Sequence, residues 1–499
     1  MRLPSSIYNW LSITGFIVVF NSLILMLFIH VFTLLYNNHS SYLDVYIYVI
    51  LPLSLVLGVI LILCGMYIRI KKDRKGNPKE RNLPVIDFNE KPDQIIMAKI
   101  GTITVIFLIA SFLGSYKAYL YTNSSEFCGE LCHNTMKPEY TTYLNSSHAK
   151  VSCMGCHAGE GAGWFVQSRL SIVGMAYSMF TNNFPRPIPA SAETLRPDRK
   201  TCENCHWPQK FYTRKLLNQV SYLADSANTE WNISLLLKLG PKNTARGLKE
   251  GIHWHINPDV RIEYSPTNES REIIPWIRYT NLKTGVVKIF TNPEQLPAAK
   301  NEDPDKILTM DCMDCHNRPS HLFLSAPDFI DHALSAGILS PQLPYIKKAA
   351  MEALKQAFET TASAREYIPK SICNFYSIGH KEIWKSRKDL IEASARKIVQ
   401  EYEKNNFPEM KVDASCYPSH LGHMESNGCF RCHSGKHITK SGELIPSNCN
   451  LCHSIIEQGS SANFNFTNLK DTLEFVHPVP LKKGAANKAC SDCHKALYN

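Results

Sequence analysis

Six copies of one pentapeptide, Cys-x-x-Cys-His, constrain the fold of this chain more than any other sequence feature. They occupy residues 153–157, 202–206, 312–316, 429–433, 449–453 and 490–494. Random placement of 17 Cys and 19 His among 499 residues would give roughly 0.02 copies. The pattern is the attachment signature of c-type haem, in which two thiols bond to the vinyl groups and the histidine binds the iron. It therefore predicts a chain folded around several covalent haems.

An irregular copy at residues 128–133 has three residues between Cys128 and Cys132 instead of two, and we predict a haem there too. Seven covalently bound c-type haems then use all but three cysteines: Cys64, which lies inside the second apolar run, and Cys373 and Cys416, which are small buried residues or form one disulfide. The predicted attachment residues are Cys128, Cys132, Cys153, Cys156, Cys202, Cys205, Cys312, Cys315, Cys429, Cys432, Cys449, Cys452, Cys490 and Cys493. The predicted proximal iron ligands are His133, His157, His206, His316, His433, His453 and His494. Zinc also binds Cys-x-x-Cys pairs, but it does not require a histidine after every pair.

Each iron also needs a sixth ligand from elsewhere in the chain. The candidate distal ligands are His148, His253, His255, His321, His332, His423, His437, His477 and Met136, with one of the pair His253 and His255 expected to serve. The supply of histidine favours bis-histidine ligation, which is typical of electron-carrying centres. The sequence does not show which iron each candidate serves, nor whether the irregular site has a Met, a His or an open sixth position.

Three apolar runs, at about 11–36, 45–70 and 100–121, are each long enough to span a bilayer. The basic segment 69–99 between the second and third runs predicts a cytoplasmic loop by the positive-inside rule. The N-terminus is then cytoplasmic, and the haem domain lies on the periplasmic side of a bacterial inner membrane. Much of the formal charge of +10 comes from basic residues that mark the cytoplasmic side of the membrane. The charge therefore does not indicate nucleic acid as a partner. A mean hydropathy of −0.18 excludes a polytopic transporter.

The predicted fold class is a membrane-anchored multihaem cytochrome c, with three N-terminal transmembrane helices and a mainly α/loop exported haem domain that has a small β insertion. Alternating apolar residues at 252–256 predict a strand, and a helical period covers about 345–402. The predicted segments are a membrane anchor at 1–121, a module of haems 1–3 at 122–230, a β-rich insertion at 231–300, a haem 4 segment at 301–342, a helical segment at 343–410 and a module of haems 5–7 at 411–499.

Longer motifs resemble a known family. Cys128 to His133, Tyr140, His148 and Cys153 to His157 resemble the start of the NapC/NirT family of membrane-anchored quinol dehydrogenases. The runs that begin at Phe184, Cys202, Ile252, Cys312 and Cys429 are similar to the ImcH-type heptahaem inner-membrane cytochromes. The resemblance implies menaquinol as substrate, the membrane quinol pool as electron donor, and periplasmic c-type cytochromes or a terminal reductase as partners, on a route toward extracellular acceptors. Two features differ from the usual NapC/NirT pattern. Met136 comes three residues after His133, whereas the family methionine comes two after its histidine, and the predicted anchor has two helices in addition to the usual one.

Cys128 follows the third apolar run by only a few residues, so the first haem is expected at the membrane surface, within reach of quinol. Oxidation of quinol releases two protons, which requires a nearby base. Candidates for this quinol site are Lys137, Glu139, Glu160 and Arg169. Two alternatives stay open: a nitrite or hydroxylamine reductase with one open iron, and a non-catalytic electron-transfer subunit of a larger quinol-oxidising complex. The oligomeric state cannot be read from the sequence.

Overall fold

A computed structural model describes most of the chain and divides it into two compact units. The described residues are 9–36, 50–73, 89–131, 133–157, 174, 177–179, 181–188, 198–207, 213–240, 250–268, 270–295, 307–481 and 488–498. One unit comprises Met1–Ser124 with His157–Thr181, and the other comprises Ser125–Cys156 with Asn182–Asn499. The membrane helices therefore belong to the first unit, and the thiols of all the described haem motifs belong to the second.

Two long helices of the first unit pair with each other. Helix α1 spans Trp10–Tyr36 and helix α2 spans Leu51–Asp73, and both are long and apolar enough to cross a membrane. They approach closely at two glycines, because a Cβ on Gly15 would lie 2.6 Å from the carbonyl oxygen of Gly58. Small residues at a crossing allow this kind of backbone approach in membrane helix pairs.

A third helix, α3, spans Lys91–Thr122. Its 32 residues correspond to a length of about 48 Å. The third predicted span lies within it, but among the described residues only α1 and α2 meet the length and composition expected of a membrane span. The third span therefore stays a prediction. Of the predicted basic loop at 69–99, residues 74–88 lie outside the described residues, and the two ends of the loop belong to α2 and α3.

The second unit contains two antiparallel sheets of four strands each. The strands are β1 Arg214–Tyr222, β2 Glu230–Lys238, β3 Val260–Ser265, β4 Trp276–Asn281, β5 Val287–Thr291, β6 Leu308–Thr309, β7 His453–Ser460 and β8 Asn463–Phe466. The first sheet has the order β1-β2-β7-β8 and the second has the order β5-β4-β3-β6. The predicted β insertion at 231–300 therefore accounts for only part of the β structure, because β1, β6, β7 and β8 lie outside it.

The predicted strand at 252–256 is wrong. Residues Ile252–Ile256 form a 3-10 helix, which begins after Gly251 at a φ of 88°. The amide of Trp254 donates to the carbonyl of Gly251, and that of Asn257 donates to the carbonyl of Trp254, both at 3.0 Å. The alternation of apolar residues and histidines was the only signal for a strand, and it does not distinguish the two structures over five residues.

Four helices lie between the fourth and fifth motifs: α7 Ala326–Ser335, α8 Ile346–Leu354, α9 Thr361–Gly379 and α10 Lys381–Asn405. Helix α9 begins with a capping box in which Thr360 and Ser363 satisfy each other's amides. Its buried residues Ala364, Ile368, Ile372 and Tyr376 recur every four positions and are all 0% exposed. They form one apolar cluster with buried side chains of the other three helices, so this segment has a side-chain core of its own.

Short helical elements carry or flank the haem motifs. They are α4 His133–Leu144, α5 Cys153–His157, α6 Asp198–Glu203 and α11 Cys490–Tyr498, with 3-10 helices at Cys312–Asp314, Gly428–Arg431 and Cys449–Leu451. In three motifs the histidine amide donates to the carbonyl of the first cysteine: His206 to Cys202 at 2.8 Å, His316 to Cys312 at 2.8 Å and His433 to Cys429 at 2.9 Å. This single helical turn places the thiols and the imidazole on one side of the backbone.

Candidate haem sites

The irregular first motif begins in a π-helical turn, Phe127–Leu131. A π turn holds more residues than an α turn, so it takes up the extra residue between Cys128 and Cys132. Gly129 is buried in this turn, where a Cβ would lie 2.3 Å from the ring of Tyr140. Glycine is therefore required at this position. The second cysteine of the motif, Cys132, lies outside the described residues.

Five motif histidines each face a second histidine from a distant part of the chain. The ring centroids are 6.1 Å apart for His148 and His206, 6.4 Å for His253 and His316, 5.8 Å for His255 and His433, 6.3 Å for His423 and His453, and 6.1 Å for His477 and His494. An imidazole nitrogen binds a transition metal at about 2.0 Å and lies about 1.1 Å from its ring centre, so two axial imidazoles on one metal have centroids about 6.2 Å apart. All five separations fit one iron between two rings.

Hydrogen bonds orient many of these rings for metal binding. The Nδ1 atoms of six histidines lie 2.7–3.2 Å from backbone carbonyls: His148 on Pro319, His253 on Leu239, His255 on Ile252, His321 on Glu139, His433 on Pro446 and His477 on Val479. An Nδ1–H that donates to a carbonyl leaves Nε2 unprotonated and free to bind iron, as is usual for metal-bound histidine. Among the described residues, the Nδ1 atoms of His423 and His453 have no hydrogen-bond partner.

Burial keeps many of the paired rings neutral. Desolvation lowers the pKa of His253, His255, His316, His423, His453 and His494. A ligating imidazole must be unprotonated at the nitrogen that binds the metal, so a lowered pKa favours the ligating form at neutral pH. Within the described ranges, no cluster of three or more His, Cys, Asp or Glu side chains could chelate a metal ion by itself. The zinc alternative therefore finds no support there.

His253 and His255 each face a different motif, although the sequence led us to expect only one of them to serve. Residues two apart in a strand project from the same face. In a 3-10 helix with three residues per turn, they point about 120° apart. The 3-10 helix at Ile252–Ile256 therefore directs one imidazole toward His316 and the other toward His433.

The remaining predicted distal ligands are placed differently. His321 is held against α4 by its Nδ1, which lies 3.0 Å from the carbonyl oxygen of Glu139. His332 is exposed on α7. His437 is 0% exposed, and its Nε2, not its Nδ1, lies 2.7 Å from a carbonyl, that of Ile274. Met136 is half-buried in α4. His321 thus meets a carbonyl through its Nδ1, as several of the paired histidines do, whereas His437 does so through its Nε2.

Two of the four predicted quinol-site residues, Glu160 and Arg169, lie outside the described residues. Lys137 is exposed. Glu139 is partly buried, its Oε2 has no hydrogen-bond partner among the described residues, and burial raises its pKa while the charge of Arg318 opposes this. The guanidinium of Arg318 lies 3.9 Å above the ring of Tyr417.

A buried polar cluster joins the fourth and fifth motifs. Asp314, 2% exposed, accepts hydrogen bonds from Arg271 Nη1 at 3.0 Å, from the Tyr264 hydroxyl and from the Asp311 amide at 2.7 Å. Arg431 Nη2 donates to the carbonyl oxygen of Asp314 at 2.6 Å. Asp314 and Arg431 are the residues just before the second cysteine of their motifs. The attachment pattern allows any residue there, so the sequence did not reveal this role.

Comparison with known proteins identifies the family of this chain. Residues 91–187 match the model of the NapC/NirT cytochrome c family, N-terminal region. The chain is similar to cytochrome c-type protein ImcH of Geobacter sulfurreducens, with 34% identity over 494 residues, which cover 98% of this chain and 96% of that protein. No solved structure matches the chain. The chain therefore belongs to the NapC/NirT-like, ImcH-type c-type cytochromes, which are membrane-anchored, haem-binding proteins of electron transport.

Proposed function

We propose that the chain is an inner-membrane cytochrome that takes electrons from menaquinol and passes them through seven covalent c-type haems to periplasmic carriers. The final destination is an extracellular or other terminal acceptor of anaerobic respiration. The observation that carries this proposal is the set of five histidine pairs with ring centroids 5.8–6.4 Å apart. A c-type haem held between two imidazoles supplies an iron that changes charge by one electron at a time.

The paired histidines favour electron transfer over chemistry at an open iron. Two imidazoles on one iron fill both axial positions, so no substrate such as nitrite can bind there. His321 supplies a sixth distal candidate for one of the two remaining irons, those of His133 and His157. The reductase alternative would require an open position at one of those two irons.

The first motif is the proposed entry point for electrons. Cys128 follows the end of α3 at Thr122 by six residues, a short tether to a helix that we expect to span the membrane. Glu139 lies in α4, which begins at the histidine of this motif. Its carboxylate is the candidate, among the described residues, for accepting a proton released from quinol, because its Oε2 is buried and lacks a hydrogen-bond partner there.

The direct test is reduction of the purified full-length chain by a menaquinol analogue in detergent, followed through the haem absorbance. We expect reduction of the native protein and at least a tenfold slower rate for His133→Ala. The matched control is His380→Ala, which also removes one imidazole but at the junction of α9 and α10 and not at a predicted iron ligand, and it should be reduced at the native rate. If His133→Ala is reduced as fast as the native protein, the entry site is wrong.

Electron paramagnetic resonance separates the alternatives. Bis-histidine ligation predicts a spectrum dominated by low-spin ferric iron, whereas a reductase would show high-spin iron that responds to nitrite or hydroxylamine. A native chain that menaquinol does not reduce alone, but that becomes reduced when a partner protein is added, would instead identify a non-catalytic subunit.

A further inference from the structure

The motif cysteines lie in contact with one another in an ordered way. The Cys153 thiol of the second motif is hydrogen-bonded to Cys128 of the first. Cys312 of the fourth motif is hydrogen-bonded to Cys202 of the third. The two remaining thiols of the second and third motifs, Cys156 and Cys205, lie within electrostatic range of each other. Thiols from consecutive motifs therefore meet throughout the first half of the haem domain.

The same order continues in the second half. Cys315 of the fourth motif and Cys432 of the fifth are within electrostatic range of each other. Cys429 of the fifth motif is hydrogen-bonded to Cys452 of the sixth. Cys449 of the sixth motif lies within electrostatic range of Cys490 of the seventh. Each of the five internal motifs thus has a thiol close to the preceding motif and a thiol close to the following one, and in the fifth motif Cys429 is close to both Cys315 and Cys452.

The fourth motif is the junction between the two halves. On one side, α6 packs against the 3-10 helix that carries Cys312, and His316 lies within electrostatic range of His206 of the third motif. On the other side, Arg431 of the fifth motif donates to the backbone of Asp314. Both sides are therefore held by contacts in addition to those of the thiols.

One hydrogen bond joins the seventh motif to the segment before the fifth motif without involving the sixth. The Ser491 hydroxyl of the seventh motif donates to Asn427 at 2.9 Å, two residues before the fifth motif begins. This contact brings the last three motifs together. It does not connect them to motifs 1–3.

We propose that the motif cysteines hold the seven haems in one line in chain order, in which the fourth haem lies between haems 1–3 and haems 5–7. The proposal rests on the proposed function for its direction. Menaquinol gives up two electrons and two protons to become menaquinone. The electrons then cross the fourth site singly and leave from haems 5–7 to a one-electron acceptor, a ferric c-type haem of a periplasmic protein.

The first test needs no activity. Electron cryo-microscopy of the native, haem-loaded chain gives seven iron positions, and each iron can be assigned to its motif by the attached cysteines. We expect the irons of motifs 3 and 5 to be the nearest neighbours of the iron of motif 4, and every iron of motifs 1–3 to lie farther from those of motifs 5–7 than from an iron of its own group. An iron of motifs 1–3 placed directly beside one of motifs 5–7 would overturn the proposal.

The second test breaks the line. Cys312→Ala with Cys315→Ala removes the fourth haem, and Cys490→Ala with Cys493→Ala removes the terminal one, so each variant keeps six. With menaquinol analogue, reduction of the first variant should stop at no more than three haems, whereas in the second more than three are reduced. Complete reduction with dithionite gives the total number of haems in each variant. More than three quinol-reduced haems in the first variant would overturn the linear order.

The two proposals fail differently. A native chain that menaquinol does not reduce overturns the proposed function, and the iron positions still decide the order. If the first variant misfolds, the iron positions in the native chain still test the linear order of the haems.

Discussion

Asp314 provides the sharpest test of how the haem domain is held together. Its carboxylate is 2% exposed and accepts three hydrogen bonds, from Arg271, Tyr264 and the Asp311 amide. Asp314→Ala would leave the Arg271 guanidinium without its charged partner, and would strand a buried hydroxyl and a buried amide. Removal of one partner from a buried ion pair costs about 3–5 kcal/mol. Because the Arg271 side chain is 23% exposed, we expect the lower end, about 3 kcal/mol.

An ion pair between two strands supplies the control. Glu263 on β3 accepts two hydrogen bonds at 2.8 Å from Arg278 on β4, which is 36% exposed. A pair open to water contributes at most about 1 kcal/mol. Glu263→Ala therefore removes a carboxylate of similar hydrogen-bonding capacity and should cost less than a third as much as Asp314→Ala.

The assay is urea unfolding of the full-length, haem-loaded chain in detergent, followed by far-ultraviolet circular dichroism. Mass spectrometry of the same samples counts haems per chain, since a weakened fourth motif would also lower attachment there. Equal losses of unfolding free energy for Asp314→Ala and Glu263→Ala would refute the reasoning, because burial of the charge would then have no energetic consequence.

Three further changes have defined outcomes. Gly129→Ala places a Cβ 2.3 Å from the Tyr140 ring, and we expect a destabilisation of about 1–3 kcal/mol, with incomplete haem attachment at the first motif in peptide mass spectra; full attachment and native stability would contradict this. Asn228→Ala removes three hydrogen bonds of 2.9–3.1 Å and should cost about 2–3 kcal/mol in the urea titration, whereas a loss below about 1 kcal/mol would show that these bonds contribute little. His253→Ala should convert one low-spin iron to high spin in paramagnetic resonance, whereas His437→Ala should change no spin state, and high-spin iron in both variants or in neither would contradict the ligand assignment.

The attachment motifs were readable from sequence because covalent chemistry requires their residues at a set spacing. The partner of each motif histidine was not readable, because the two rings come from distant parts of the chain. His253 and His255 show the difficulty well. Their spacing is equally compatible with a strand, which would direct both side chains one way, and with the 3-10 helix that separates them. Only the long-range contacts of the fold decide between these directions.

The tautomers of the histidines also lie beyond sequence reasoning. His437 follows the fifth motif by four residues, and this proximity favoured it as a ligand. In the structure its Nε2 is engaged by the carbonyl of Ile274, on a segment more than a hundred residues earlier. His321 was an equal candidate by sequence, and it meets the carbonyl of Glu139 through its Nδ1 instead. Which ring nitrogen meets a carbonyl is set by the fold and is not visible in the sequence.

The pairing of β2 with β7 has a consequence for how the chain folds. Residues of β2 between Trp231 and Leu237 meet residues of β7 between His453 and Ser460. The chain between the strands contains the whole fourth and fifth motifs and the cysteines of the sixth. Until β7 has been synthesised, β1 and β2 form a hairpin with an unpaired edge, which is open to wrong pairing. Long-range strand pairing is also intrinsically slow. The sheet therefore closes late, and the thiols of these motifs remain accessible to the attachment machinery until it does.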